Sequence, residues 1–254
     1  MTLVILFVCG AIIGSFLNVL ALRFRSGISI GGRSQCGSCS KVLPWYELIP
    51  VVSFLALRGR CSACRAKISW RYPAGEILTG IIFATVYEPG SPWWVNGLFL
   101  AIFSLYVVIV IYDARHKVIP NSLAYAATFL ALILSLGGQN SWLDWFAGPI
   151  LFVFFAVIWL LSRGRAMGFG DAKLALSMGL MLGAAGGFSA VILAFWTGAL
   201  YGLALIVAGM LSPLLRSGKR ITMKSEVPFA PFLVLGAWLA LIFKLDLLHV
   251  SFFH

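Results

Sequence analysis

Apolar windows about as long as a bilayer is thick recur along nearly the whole chain, and no other feature restricts its fold as much. A hydrocarbon core of roughly 30 Å needs about 20 consecutive apolar residues in a helix. Within that layer every backbone N–H and C=O must find its partner inside the protein, which windows of this length achieve as helices. The windows run over Thr2–Leu22, Pro73–Tyr87, Trp93–Tyr112, Ser122–Leu136, Trp142–Leu161, Ala172–Leu182 with its continuation, Phe188–Leu211 and Val227–Leu247. The expected fold is therefore an all-α integral membrane protein of about eight transmembrane helices. Only glycines and alanines separate the sixth window from the seventh, so that boundary stays open. With 61% hydrophobic and 11% charged residues and a mean hydropathy of +0.99, the composition lies far from that of a soluble domain.

The placement of positive charge sets an expected orientation. Lys and Arg gather in four connecting segments. Nine lie between Arg23 and Arg71, two at Arg115 and Lys117, three at Arg163, Arg165 and Lys173, and four at Arg216, Lys219, Arg220 and Lys224, which leaves Lys244 alone outside them. By the positive-inside rule these segments face the cytoplasm and both termini face outward. The first window lacks a basic segment ahead of it and is followed by Arg23 and Arg25, which is not the order of a cleavable signal. The net charge of +11 thus marks membrane orientation and contact with lipid, and no nucleic-acid partner is expected. The chain reads as a first transmembrane helix at 1–22, a cytoplasmic loop domain at 23–72 and a seven-helix membrane domain at 73–254.

The loop domain carries Cys36-x-x-Cys39 and Cys61-x-x-Cys64 with 21 residues between the pairs. Two such pairs supply four thiolates for a tetrahedral structural Zn²⁺. Disulfides and redox thiols are the competing accounts, but a loop held in the reducing cytoplasm seldom keeps disulfides. A loop of about 49 residues buries little core of its own, and a metal would supply the missing folding energy. Cys9, in the first window, is expected to be a small buried apolar residue. Between the pairs, the stretch Pro44–Arg60 contains the acid Glu47 and is apolar enough to dip into the membrane surface; Glu76 opens the second window, where complementing the helix dipole would account for it.

Acids are few in this chain, so each needs a reason. Asp171 stands between Gly168-Phe169-Gly170 and Lys173 at the start of a window, and helix capping would explain it taken alone. Asp113 ends the third window beside Arg115 and Lys117. The charge rule puts both at the cytoplasmic boundary. Two carboxylates sharing one water can divide the roles of base and acid, which lets water attack a peptide bond. Asn18, inside the first window, is expected to bond within the bundle.

Together, Gly168-Phe169-Gly170-Asp171 with Lys173, the segment from Asp113 to Ile119-Pro120, the double Cys-x-x-Cys loop and Gly14-Ser15-Phe16-Leu17-Asn18-Val19 resemble the type IV prepilin peptidases, which are bifunctional leader peptidases and N-methyltransferases of the Gly-x-Gly-Asp aspartic protease type. The resemblance implies a bacterial inner-membrane enzyme that cuts the leader from type IV prepilins or type II secretion pseudopilins on the cytoplasmic side. It then methylates the new N-terminal residue from S-adenosylmethionine. Carried over by position, Asp113 and Asp171 are the catalytic pair and Cys36, Cys39, Cys61 and Cys64 the zinc ligands. Glu47, Gly59 and Arg60 are the candidates for S-adenosylmethionine binding, without assigned atoms, since no glycine-rich dinucleotide fingerprint is present. Three other readings stay open on the residues alone. They are a transporter or channel with an acidic proton or cation site, a membrane-anchored methyltransferase with structural aspartates, and a presenilin-like protease, which gives no reason for the cysteines. Oligomeric state is not legible.

Overall fold

Regular structure among the described residues is helical throughout, apart from two isolated antiparallel bridges, Gln35 with Val42 and Arg60 with Lys67. The computed structural model describes residues 1–24, 31–138, 141–165, 167–211 and 228–249, with the backbone alone for 208–211. Arg25, Arg216, Lys219, Arg220, Lys224, Glu226 and Val227 lie outside these residues. The helices are α1 (Thr2–Arg23), α2 (Val52–Ala56), α3 (Arg71–Val86), α4 (Trp93–His116), α5 (Asn121–Leu136), α6 (Trp142–Ser162), α7 (Phe169–Leu211) and α8 (Ala230–Ile242). Four of them, α1, α4, α6 and α7, are long and apolar enough to cross a membrane, while α5 and α8 are shorter apolar helices and α3 has 16 residues.

Two compact units divide the chain, Met1–Tyr112 and Asp113–His254. In the first, α1 packs along α3. The approach depends on small residues, because a Cβ on Gly10 would stand 2.7 Å from Phe83 Cβ and 2.9 Å from Gly80 Cα. Small residues are what let helices associate where lipid offers no hydrophobic penalty for separation. Asn18 is buried in α1 and its amide donates to the Tyr72 carbonyl at 3.2 Å, the expected bond within the bundle. Cys9 departs from expectation. It is exposed on α1, and a thiol is apolar enough for a helix face turned to lipid.

In the second unit α7 packs against α5, α6 and α8. Its run of 43 residues hides a reversal at Gly183, whose φ of 69° and ψ of −170° lie outside the helical region. In a straight helix Gly179 and Gly187 would be about 12 Å apart along the axis. Here a Cβ on Gly187 would meet Gly179 Cα at 3.2 Å. The two halves of α7 therefore fold back on each other, and the boundary between the sixth and seventh windows falls at Gly183. Only glycine adopts that backbone without strain. Asp144 holds the turn: its Oδ2 accepts the Ser141 N–H at the start of α6 at 3.1 Å, and its Oδ1 accepts the Ala184 N–H at 2.8 Å, so one carboxylate serves two helix starts.

The α6–α7 contact is nearly backbone on backbone, since a Cβ on Gly179 would fall 2.5 Å from Gly148 Cα and 2.7 Å from the Ala147 carbonyl carbon. Gly202, in the second half of α7, has nothing within 4 Å of such a Cβ. Thermal unfolding in detergent should separate the two positions. Gly179→Ala is expected to destabilise by about 1–3 kcal/mol through overpacking, and Gly202→Ala to be neutral or stabilising by about 0.5–1 kcal/mol through helix propensity.

Candidate active sites and metal centre

The start of α7 is built around Asp171. Phe169 is anchored by the rings of Trp159 and Phe152 from α6, with centroids 5.1 and 5.8 Å away. Gly170 lets the Ile119 side chain lie against the backbone, because a Cβ there would be 2.7 Å from Ile119 Cβ. The segment that follows Asp113 is thereby pressed onto the segment that carries Asp171. Asp171 Oδ2 accepts the Gly168 N–H at 3.2 Å, and the Asp171 N–H donates to the Gly168 carbonyl at 3.1 Å. The acid thus caps its own helix through one oxygen.

Asp113 lies near the end of α4, one turn before Lys117, whose N–H returns to the Asp113 carbonyl at 2.8 Å. Its carboxyl accepts the backbone N–H of Ala230, the first residue of α8. Both aspartates are buried, at 5% and 6% exposure, and the charge of Asp113 acts on Asp171. The Asp171 carboxylate thus meets the N-terminus of its own helix α7, and that of Asp113, from the end of α4, meets the N-terminus of α8, where unpaired N–H groups and the helix dipole favour negative charge. Lys173 reaches neither acid. Its ammonium bonds Asn121 Oδ1 at 2.7 Å and lies over the Tyr125 and Phe169 rings, tying the start of α5 to that of α7.

In the first unit the two cysteine pairs form matching turns. Cys36 N–H bonds the Lys41 carbonyl, Ser40 N–H the Cys36 carbonyl and Leu43 N–H the Ser34 carbonyl; each bond recurs 25 residues on, as Cys61 to Ala66, Arg65 to Cys61 and Ile68 to Gly59. Ser40 and Arg65 both take positive φ, 56° and 59°, which closes each turn. The four sulfurs lie within 4.8 Å of one another, with Cys36 to Cys64 at 3.8 Å and Cys39 to Cys61 at 4.0 Å. Zinc–sulfur bonds of about 2.3 Å in a tetrahedron give sulfur separations of about 3.8 Å, so these residues fit the ion. The backbone N–H groups of Ser38 and Cys39 bring the Cys36 thiol down to about 6. The Ala66 N–H favours the Cys64 thiolate most strongly, yet the Cys39 sulfur, desolvation and the Cys61 and Cys36 sulfurs together outweigh it and hold that thiol up at about 11. Four sulfurs this close need a cation among them before all can ionise.

A cavity of about 890 Å³ lies in the same unit, lined by the end of α1, the cysteine loop and the start of α3, and including Ser15, Cys36, Glu47, Cys61, Tyr72 and Glu76. Of the three residues expected to meet S-adenosylmethionine, Glu47 lines it. Gly59 and Arg60 are not among its lining residues. Gly59, at φ 66°, turns the chain beneath the Phe54 ring, and Arg60 pairs with Lys67 in one of the two bridges. The Glu47 side chain is only 5% exposed; Lys41 Nζ donates to its Oε1 at 2.9 Å and Ser62 Oγ at 2.8 Å. The Lys41 ammonium, then Ser62, hold its carboxyl below the ordinary range. Oε2 is buried with no hydrogen-bond partner among the described residues.

One signal in this region escapes sequence reading. Val51 has φ 60° and ψ −48°, and the Val52 N–H bonds the Pro50 carbonyl at 2.5 Å. That is the rare, strained form of the γ-turn, in a β-branched residue. Glu76 restrains it by accepting the Val51 N–H at 2.8 Å. Its carboxylate is thus committed to another segment rather than to the dipole of α3.

Comparison with known proteins agrees with both halves of this description. Residues 8–88 match the bacterial peptidase A24 N-terminal domain and residues 98–203 the type IV leader peptidase family. The prepilin leader peptidase/N-methyltransferase of Bacillus subtilis (strain 168) is 34% identical over 245 residues, covering 94% of this chain and 93% of that protein. The protein of the same name from Stutzerimonas stutzeri is 30% identical, covering 92% and 88%, and that from Myxococcus xanthus (strain DK1622) is 34% identical, covering 81% and 63%. No solved structure matches the chain. Helices apolar enough for a membrane, a four-cysteine centre and relatives that match most of this chain lead to one conclusion: this chain belongs to the prepilin leader peptidase/N-methyltransferase family, and is a peptidase and a methyltransferase.

Proposed function

We propose that Asp113 and Asp171 are the catalytic pair of the leader peptidase. The observation that carries this reading is their joint burial in an apolar unit, with the charge of one acting on the other. Like charges that act on one another in an apolar setting do not both ionise cheaply, so on this reading the pair holds one proton between them. The ionised aspartate takes a proton from water as the water oxygen attacks the scissile carbonyl. The protonated one passes its proton to the nitrogen that leaves, and the peptide bond becomes a carboxylate and a new N-terminal amine. The substrates are type IV prepilins or type II secretion pseudopilins, cut at the cytoplasmic face. The clustering of Lys and Arg in the connecting segments supports that orientation, with eight crossings and both termini outside. The reversal at Gly183 supports the count by making two helical segments of α7.

S-adenosylmethionine supplies the methyl group to the new N-terminal amine when bound. A structural Zn²⁺ at Cys36, Cys39, Cys61 and Cys64 holds the two turns together, a role supported by the sulfur separations. The reading as a proton or cation carrier falls with the family assignment.

Cleavage of a purified prepilin in lipid or detergent tests the aspartate pair. Asp113→Ala and Asp171→Ala should each lower the rate by at least about 10²–10⁴-fold while methyl incorporation into pre-cut pilin persists; cleavage at the wild-type rate by either variant would sink the assignment. Metal analysis should find one zinc per chain. Stripping it, or Cys39→Ser, is expected to expose Arg58, Arg60 and Arg65 to trypsin and abolish methyl transfer, because metal binding and loop folding are one equilibrium.

A further inference from the structure

We infer that the cavity of the first unit binds a primary ammonium or amine and that Glu47 is the residue that takes it. The inference rests on the methyltransferase activity and goes beyond it by assigning the atom. Glu47 Oε1 is occupied by Lys41 and Ser62, whereas Oε2 is a buried acceptor without a donor. What such an oxygen lacks is an N–H or O–H. A sulfonium has none to give, but an ammonium has three. Glu47 lines a cavity of about 890 Å³, within the range that encloses a molecule the size of a nucleoside with an amino-acid tail.

Two molecules in this reaction carry the required group. One is S-adenosylmethionine, through its α-ammonium. The other is the cut pilin, through its new N-terminus. Glu47 keeps its charge through the Lys41 ammonium, as recognition of either cation requires.

Glu76 acts on the same site as a positioning residue. Its bond to Val51 restrains the strained γ-turn that follows the Trp45–Leu48 3₁₀ turn on which Glu47 stands. Strained backbone persists only where surrounding contacts over-determine it. A neutral amide at position 76 would still accept the Val51 N–H, and a methyl group would not.

Calorimetric titration of the full chain in detergent tests the inference. Wild type and Glu47→Gln are titrated with S-adenosylmethionine, and the KM for pre-cut pilin is measured in parallel, with thermal unfolding and prepilin cleavage as controls for folding. If the donor's ammonium is the ligand, Glu47→Gln weakens donor binding at least tenfold. If it is the pilin's, donor affinity holds and the KM for pre-cut pilin rises at least tenfold. Neither change would overturn the proposal. Wild type alone provides a test free of folding effects. S-adenosylhomocysteine should bind at least tenfold more tightly than its N-acetyl form, or pre-cut pilin should compete better than its N-acetylated form; equal behaviour in both comparisons also overturns it. Glu76→Ala should weaken the same parameter as Glu47→Gln, and Glu76→Gln should restore it. Loss of cleavage in Asp113→Ala and Asp171→Ala is read separately, so failure at Glu47 leaves the peptidase assignment untouched.

Discussion

The demand for a hydrogen-bond donor beside every buried acid shapes this structure more than any other constraint. A charge carried into hydrocarbon costs about 2.5–3.5 kcal/mol even on insertion scales, and the chain has few polar side chains with which to offset it. Backbone N–H groups at helix starts and in turns are the donors that remain. Asp144 accepts from Ser141 and Ala184, Asp171 from Gly168, Asp113 from Ala230 and Glu76 from Val51. Each bond joins an acid to the beginning of a helix or to a strained turn, so the acids fix where segments begin and meet. Glu47 differs, because its partners are the side chains Lys41 and Ser62 and its second oxygen has none.

Close packing then transmits these positions. Gly148 against Gly179, Gly10 against Gly80 and Gly170 against Ile119 bring backbones nearer than any larger residue permits. In a bilayer such contacts replace the hydrophobic effect as the source of association. At Gly170 the close approach has a chemical result as well, because it sets the segment after Asp113 directly on the turn that carries Asp171.

The two chemistries have physically different settings. Peptide hydrolysis is proposed for two carboxylates in an apolar unit, where neighbouring charge divides one proton between them. Methyl transfer needs room for a nucleoside and for an amine. The first unit offers that room beside a loop whose four sulfurs lie within 4.8 Å of one another. In the proposed function the product amine of the first step is the acceptor of the second, which would make recognition of an amine the natural link between them.

Much of this was legible in the residues. The apolar windows predict the ends of α1, α3, α5 and α6 to within two residues and the start of α4, which runs four residues past its window to His116, because hydrocarbon admits little except helix. The Cys-x-x-Cys pairs announce a cluster of four sulfurs through spacing alone, since two short turns can bring their thiols to one point whatever joins them. Asp113, Asp171 and Glu47 stand out because acids are rare in such a chain. Other features depended on long-range contacts that no local pattern encodes. Periodicity is blind to the reversal at Gly183, since the glycines and alanines around it are compatible with unbroken helix; Asp144, from another helix, stabilises the turn. The exposure of Cys9, the bond between Lys173 and Asn121, and the strained turn at Val51 held by Glu76 belong to the same class. Sequence by itself determined that the chain must be helical, where its charges fall and which residues can do chemistry, because those follow from solvent and side-chain type. Tertiary structure decided which N–H each acid receives and which oxygen is left unpaired, because those depend on distances between segments remote in the chain.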